Sequence, residues 1–485
     1  MGDRDLLKRI PQIFATSVIP VLGRVVARVL CLIWALGWAL TVPTTTAEAR
    51  RIALIRDAEV EHTIGNFAAP LFTAAGLDAS AVRVLIVKDR ALNAFVAGGQ
   101  KIFVNTGLLL ATGSPQQLIG VLAHETGHIS GGHLARTQDA LRNASVPAII
   151  GMVLGAAAMV SGAPGGAQAA PAILLGGQHA ASRTFLKYSR TQESAADQAA
   201  VTLLAETGRS PQGLLDFLGI LGEQDLLSRQ SQDPYAQSHP LNRQRTDLLR
   251  RHAETSKYRQ TKASAAEIEA FLRLQAKLRG FLESPARVFK RYPASDRSVA
   301  ARYARAAAHH RDSQLKEALA ELDSLLSERP DDAFFQELKG QILYEHGRVA
   351  DSLAPYEAAV RLKPQLALLR VGLAQSQIAS QDAGLVTAAI GHLETAARQD
   401  TNLVGIWRQL SVAYGRAGRF GMSALASAEF AYRLGRAAEA LLQAERAAKK
   451  LPRGSPGWLR AQDIVTAIKA AQLSRKGGKA RKQNR

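Results

Sequence analysis

Apolar residues recur every three or four positions from Ile52 to Leu77, the period of a helix with one buried face. The run Val82–Val87 (VRVLIV) is continuous and β-branched, is bounded by Lys88 and Asp89, and predicts a strand. Asn93-Ala94-Phe95-Val96 and Ile102-Phe103-Val104 flank Gly98-Gly99 and predict two further strands about a glycine turn, whose plainest role is sheet scaffolding. Gly107-Leu108-Leu109-Leu110 restarts a helix. Ser114-Pro115 opens the next one with proline at the first helical position, and that helix reads QQLIGVLAHETGHISGGHLAR. Another helix is expected from about Ser182 to Thr207.

Farther along, the pattern becomes a repeat. Pro330 and Pro364 lie 34 residues apart, and each ends a helix of similar phase. Ala306 and Gly340 fall at the small eighth position of a tetratricopeptide repeat, and Ala359 and Pro364 fit later positions of the second copy. Trp407, Leu410, Tyr414 and Gly418 fit another copy, and Ala428, Gly435, Ala440, Ala447 and Pro452 fit yet another. The stretch Gln381–Asp400 is out of register by about two residues. A generic helical solenoid serving only as a spacer is the plain alternative.

Composition narrows the class. The 485 residues are 47% hydrophobic and 21% charged, which suits about three folded units and excludes a disordered polymer. One cysteine excludes a disulfide framework or a Cys-rich zinc module. Arg4, Lys8, Arg9, Arg24 and Arg28 precede an uncharged run, Val29–Val42, followed by Ala47-Glu48-Ala49: a basic, apolar and small-residue order that predicts a signal peptide cleaved after Ala49. An uncleaved inner-membrane anchor is the alternative, although the run is shorter than the ~20 residues of a spanning helix. The net charge is +20, and the tail Ser474–Arg485 holds six of its bases. No nucleic-acid recognition module accompanies that charge, so attraction to an anionic surface, a peripheral contact with membrane, is expected. Asn143–Ser182 holds no Asp, Glu, Lys or Arg; a lid or buried segment is the first reading and a membrane span the second.

The chemistry concentrates at His124-Glu125-Thr126-Gly127-His128. Residues four apart share a helical face, so both imidazoles can bind one metal ion while Glu125 reaches a water beside it. With 11 His and 41 Asp plus Glu, about 0.02 such matches arise by chance. A catalytic zinc needs a third protein ligand and an open fourth position. His133 is one candidate, but it comes one residue early for the HExxHxxGxxH pattern. Glu193, four residues before Asp197, is the stronger one: Glu193 can ligate while Asp197 holds the second nitrogen of a ligand histidine. Small Ala123 and Gly127 would let another helix or a substrate come close.

In this order, Asn93-Ala94-Phe95, Gly98-Gly99, Gly107-Leu108-Leu109, AHETGHISGGH, Glu193 with Asp197, and Ser238-His239-Pro240 with Arg245 resemble the HtpX-like and CAAX-prenyl-protease-like zinc peptidases over about two hundred residues. The resemblance implies a mostly α chain: a gluzincin-type α+β zinc peptidase domain with a small sheet, then an all-α tetratricopeptide-repeat solenoid. It implies one Zn2+ held by His124, His128 and Glu193, Glu125 as general base, and Asn93–Val104 as an edge strand that pairs with substrate. His239 would face the zinc, either stabilising the oxyanion or filling the fourth position and keeping the enzyme latent. His133 is not expected to be a ligand. The expected order is a signal peptide over 1–49, a zinc metallopeptidase domain over 50–255, a helical connection over 256–293, the repeats over 294–472 and a basic disordered tail over 473–485. Export and repeats narrow the resemblance to a periplasmic type: an endopeptidase with chaperone-like activity, handling unfolded or misassembled outer-membrane proteins, with the barrel-assembly machinery as a partner of the repeats and no nucleic acid. A repeat-based chaperone whose peptidase site is normally off is the rival class.

Overall fold

Asp57 separates the first two elements. Its carboxylate accepts from the Val60 amide at 2.9 Å, so the helical period that begins at Ile52 becomes helix only from Ala58. The computed structural model describes residues 53–136, 175, 189–224, 239 and 243–483, with the side chains of 223, 224 and 475–483 excepted. The expected signal peptide lies outside the described residues, as does the uncharged 143–182 segment apart from Leu175.

Strand β1 (Leu54–Ile55) precedes helix α1 (Ala58–Ala74), and β2 (Arg83–Val87), β3 (Ala94–Val96) and β4 (Lys101–Asn105) follow. The sheet order is β1-β2-β4-β3: β2 and β4 run parallel, and β3 lies antiparallel to β4 at the edge with Phe95 opposite Phe103. Those two rings stack at 5.0 Å on one face, while Ala94, Ile102 and Val104 enter the core on the other, the alternation a strand imposes. Helices α2 (Thr106–Ala111) and α3 (Pro115–Ser130) come next, the latter capped by Ser114, whose hydroxyl accepts from the Gln117 amide at 3.3 Å. A helix over 189–206 (α4) then leads to α5 (Gln212–Gln224) and α6 (Arg243–Thr255). Ile64, Leu71, Ile86, Leu108, Leu122 and Phe217 form the centre of this core.

The segment expected as a plain connection is part of that core. Helix α7 (Ala265–Leu282) buries Phe271, Leu274 and Leu278 among the residues of this core, and α8 (Pro285–Arg291) follows it. Helix α7 also carries two buried cations. The Lys277 ammonium lies 2.9 Å from Asp57 and 3.0 Å from Glu337. Arg273 lies 2.7 Å from Glu59 and 2.5 Å from Asp332, and the Tyr303 hydroxyl donates to Glu59 at 2.6 Å. Asp57 and Glu59 open α1, whereas Tyr303, Asp332 and Glu337 belong to the helical array that follows. A second link joins Arg56 and Arg83 to Asp400, at 2.9 and 3.1 Å.

The array consists of α9 (Val299–Arg311), α10 (Leu315–Glu328), α11 (Ala333–Glu345), α12 (Val349–Leu362), α13 (Ala367–Ala379), α14 (Ala383–Gln399), α15 (Val404–Arg416), α16 (Phe420–Arg433), α17 (Ala437–Lys450) and α18 (Pro456–Gln483). Ser313, Gly347 and Gln381, each 34 residues from the next, take left-handed φ of 60°, 79° and 66° in equivalent turns. The period therefore continues through Gln381. It slips afterwards because α14 has 17 residues where α10, α12 and α16 have 14, close to one extra turn. Gly340 and Gly372 receive the two sides of the Tyr356 ring, where an added Cβ would lie 2.8 and 2.6 Å from it. Helix α18 continues to Gln483, so the backbone is helical in the tail expected to be disordered from 473.

The buried cations set the stability test. Replacing Lys277 by Met strands buried carboxylates and should lower unfolding free energy by about 3–5 kcal/mol. Lys277→Met combined with Glu337→Leu should recover part of that loss in chemical denaturation; no loss in the single variant would refute the role of the network.

Candidate metal centre

Helix α3 reaches its neighbours through glycine. An added Cβ on Gly120 would lie 2.7 Å from the Leu214 amide of α5, and one on Gly127 would lie 2.8 Å from the Ala196 carbonyl of α4. No larger residue fits at either position without moving backbone. The close approach at Gly127 sets Glu193 against the two histidines of α3, so the expected proximity of a second helix is realised by α4.

Four donor groups converge. His124 Nε2 is 3.1 Å from His128 Nε2, 3.4 Å from Glu193 Oε2 and 3.3 Å from His239 Nδ1. His128 Nε2 is 3.5 Å from Glu193 Oε1, and His239 Nδ1 is 3.0 Å from Glu193 Oε2. Donor atoms about 2.0–2.1 Å from a tetrahedral Zn2+ would stand roughly 3.3–3.4 Å apart. The spacing and the N3O donor chemistry both fit such an ion. Glu125, fully buried, places Oε1 3.7 Å from His239 Nε2.

A further layer orients these groups. Asp197 Oδ1 lies 3.0 Å from His124 Nδ1, where a ligand histidine's second nitrogen is expected to be held. Arg245 of α6 donates to both Asp197 oxygens, at 2.6 and 2.9 Å, and to the His239 carbonyl at 3.2 Å, and its Nη1 lies 2.9 Å from Glu193 Oε2. Sequence reasoning named Arg245 only as part of a resemblance. The signal it passed over was electrostatic: two carboxylates one turn apart on a helix close to paired histidines call for a fixed cation. His133 stands behind His128, its Nδ1 3.0 Å from His128 Nδ1, and is absent from the converging group. The turn at Gly131 and Gly132 brings it there; a Cβ on Gly131 would run into the His133 ring.

Burial opposes charge throughout, yet the Asp197 and Glu193 carboxylates hold His124 up to about 10. Burial likewise opposes ionisation of Glu193, but His239 and His124 keep it well below the usual carboxylate range. His128 is pushed well below the usual imidazole value by burial and then by the charges of His124 and His239. The two carboxylates thus favour positive charge at this centre.

Two histidines one turn apart, a glutamate between them and a carboxylate from a second helix make up the donor pattern found in metallopeptidases of the HExxH type. Residues 55–253 match the model of Peptidase family M48. Among curated proteins, the chain is similar to the β-barrel assembly-enhancing protease of Yersinia pestis, 26% identical over 298 residues that cover 60% of each chain. It is also similar to the putative β-barrel assembly-enhancing protease of Vibrio cholerae, 26% identical over 200 residues, which are 41% of this chain and 40% of that one. The enzyme of Escherichia coli strain K12 is 24% identical over 200 residues, again 41% and 40%. The matches thus span less than two thirds of each relative.

The geometry predicts how metal content responds to substitution. His124→Ala, His128→Ala and Glu193→Ala should each reduce bound metal measured by atomic absorption. His133→Ala should weaken affinity by at most about 10–100-fold and still load to one equivalent. Gly127→Ala should lower affinity as well, by pushing α4 and Glu193 away. Full loss in His133→Ala with retention in Glu193→Ala would reverse the assignment.

Proposed function

We propose that this chain is a zinc-dependent endopeptidase of the bacterial envelope, located in the periplasm and acting in outer-membrane protein assembly and quality control. The observation that carries the reading is the convergence of His124, His128, Glu193 and His239 beside a buried Glu125. Its setting is supported by the names of the relatives. Zn2+ held by His124, His128 and Glu193 would polarise the scissile carbonyl and lower the pKa of a water toward ~7. Glu125 takes the proton of the attacking water and delivers it to the leaving amine, the role of a general base that turns general acid. Asp197 and Arg245 keep His124, Glu193 and the His239 backbone in place. Strand β3, at the sheet edge, is the surface to which an extended substrate adds by main-chain pairing.

Chain His239 supports a second element, latency. Its Nδ1 occupies the place of a fourth donor, and a site closed in this way has no position for water. In this reading the helical array, of tetratricopeptide type, docks unfolded or misassembled outer-membrane proteins or the barrel-assembly machinery, and a partner that favours the open state shifts the balance by its differential affinity. The chaperone-like activity of the array is then the resting output.

Glu125→Gln should retain one zinc and lose casein hydrolysis by at least about a hundredfold, because an amide cannot accept the proton. Purified chain with no stoichiometric zinc would sink the enzyme reading. Equal rescue by Glu125→Gln and wild type in an envelope-stress complementation assay would favour a chaperone alone. His239→Ala should raise the basal rate if His239 is a switch and abolish it if His239 stabilises the oxyanion; an unchanged rate refutes both.

A further inference from the structure

The charge of this chain is gathered at one end. Residues 401–485 hold seventeen Lys and Arg against four acids, a net +13 out of the +20 of the whole chain. The four acids are engaged locally: Glu429 with Arg433 and Arg460, Glu439 with Arg436, Glu445 with Lys469, and Asp463 beside Arg460. No Asp or Glu occurs from 401 to 428 or from 447 to 462.

Those two acid-free stretches meet. An added Cβ on Gly421 would lie 2.8 Å from the Leu451 side chain, and one on Gly457 3.2 Å from both Leu451 and Met422. The start of α16, the end of α17 and the start of α18 therefore form one tip. Arg416, Arg419, Lys449, Lys450 and Arg453 are exposed there. Between them Phe420 and Leu459, 58% and 51% exposed, present apolar side chains, and Trp458 is half-buried beside them.

We propose that this tip is a membrane-docking surface, and that its partner is a bilayer carrying anionic, phosphate-bearing headgroups. Bases interleaved with Phe, Leu and Trp suit the headgroup level of a bilayer, where aliphatic stems lie along apolar neighbours and charges reach phosphate. A single-stranded polynucleotide fits less well, because it needs aromatic faces on which bases stack. The Phe420 face carries the chain's own Lys450 ammonium, 6.0 Å from the ring centroid, and Arg419 lies 4.7 Å over Tyr414. The envelope location proposed above supplies the biological setting of this surface; its binding chemistry is independent of the peptidase centre.

The test is flotation of the full chain with vesicles of phosphatidylcholine alone and of equimolar phosphatidylcholine and phosphatidylglycerol. Each base near such a surface contributes roughly fivefold. The combined variant Lys449→Gln, Lys450→Gln and Arg453→Gln should therefore bind the anionic vesicles about a hundredfold more weakly, with its zinc content and circular dichroism unchanged. Phe420→Ser with Leu459→Ser should also weaken binding while leaving the charge intact, and added salt should weaken it further. Equal binding to neutral vesicles, or full binding by the charge variant, overturns the proposal. So does binding lost only when residues 475–485 are removed, which would assign attraction to the tail. Tight binding of duplex DNA that is sensitive to the charge variant but indifferent to Phe420→Ser with Leu459→Ser, with vesicle binding equally indifferent, would make the tip a general polyanion site. Glu125→Gln protein should float as wild type does, so a chain that cleaves casein but ignores anionic vesicles loses this proposal and keeps the peptidase reading.

Discussion

Two carboxylates one turn apart, Glu193 and Asp197, are taken out of water against the HExxH helix, and the surrounding groups make that arrangement tolerable. Unpaired buried carboxylates are costly and tend to protonate. Here the Arg245 guanidinium bridges both, with Asp197 receiving a two-pronged contact, while His124, His128 and His239 crowd the remaining oxygens. The same contacts that compensate the charge fix the positions of the donors. Arg245 also holds the His239 carbonyl, so α6 ties His239 to the carboxylates it approaches. Neutralising burial and orienting metal donors are here one set of interactions.

A second buried network decides how the chain is organised. Lys277 and Arg273, one turn apart on α7, each reach a carboxylate at the start of α1, Asp57 or Glu59, and one in the helical array, Glu337 or Asp332. Each cation has carboxylate partners on both sides, so separating the array from the sheet would strand charges inside apolar surroundings. With Asp400 holding Arg56 and Arg83 from the far side, the array is built into the sheet-bearing unit and is not suspended from a tether. The Asp400 contacts reach the sheet directly: Arg56 follows β1, and Arg83 opens β2, the parallel neighbour of β4.

Much of the local structure was legible along the chain because it depends on near neighbours. Ser114-Pro115 starts a helix wherever it stands, the i to i+4 spacing puts His124 and His128 on one face, and a 34-residue recurrence predicts stacked helical pairs. The β3 and β4 strands about Gly98 and Gly99 follow from alternation and left-handed glycine, whose φ values are 61° and 90°. The register slip after Gln381 was visible as well. Its cause, the longer α14, was not, because three added residues change a period without announcing which helix absorbs them.

Pairings between distant residues were not legible, since nothing near Arg245 says that its partners lie 48 residues earlier, or near Lys277 that Glu337 awaits it 60 residues later. The segment around α7 is helical and charged, which along the sequence reads as the connection between the units; packing turned two of its charges, Arg273 and Lys277, inward. The sequence by itself determined the candidate metal donors of the HExxH motif, the helix that displays them and the repeat period, because spacing within one element is a local property. Only the tertiary structure decided that His239 reaches the fourth donor position, that His133 stands behind His128, and that Arg245 compensates both carboxylates. Those outcomes depend on how separate segments meet; the approach of α4 to α3, which sets Glu193 and Asp197 against the histidines, is allowed at Gly127 by the absence of a side chain.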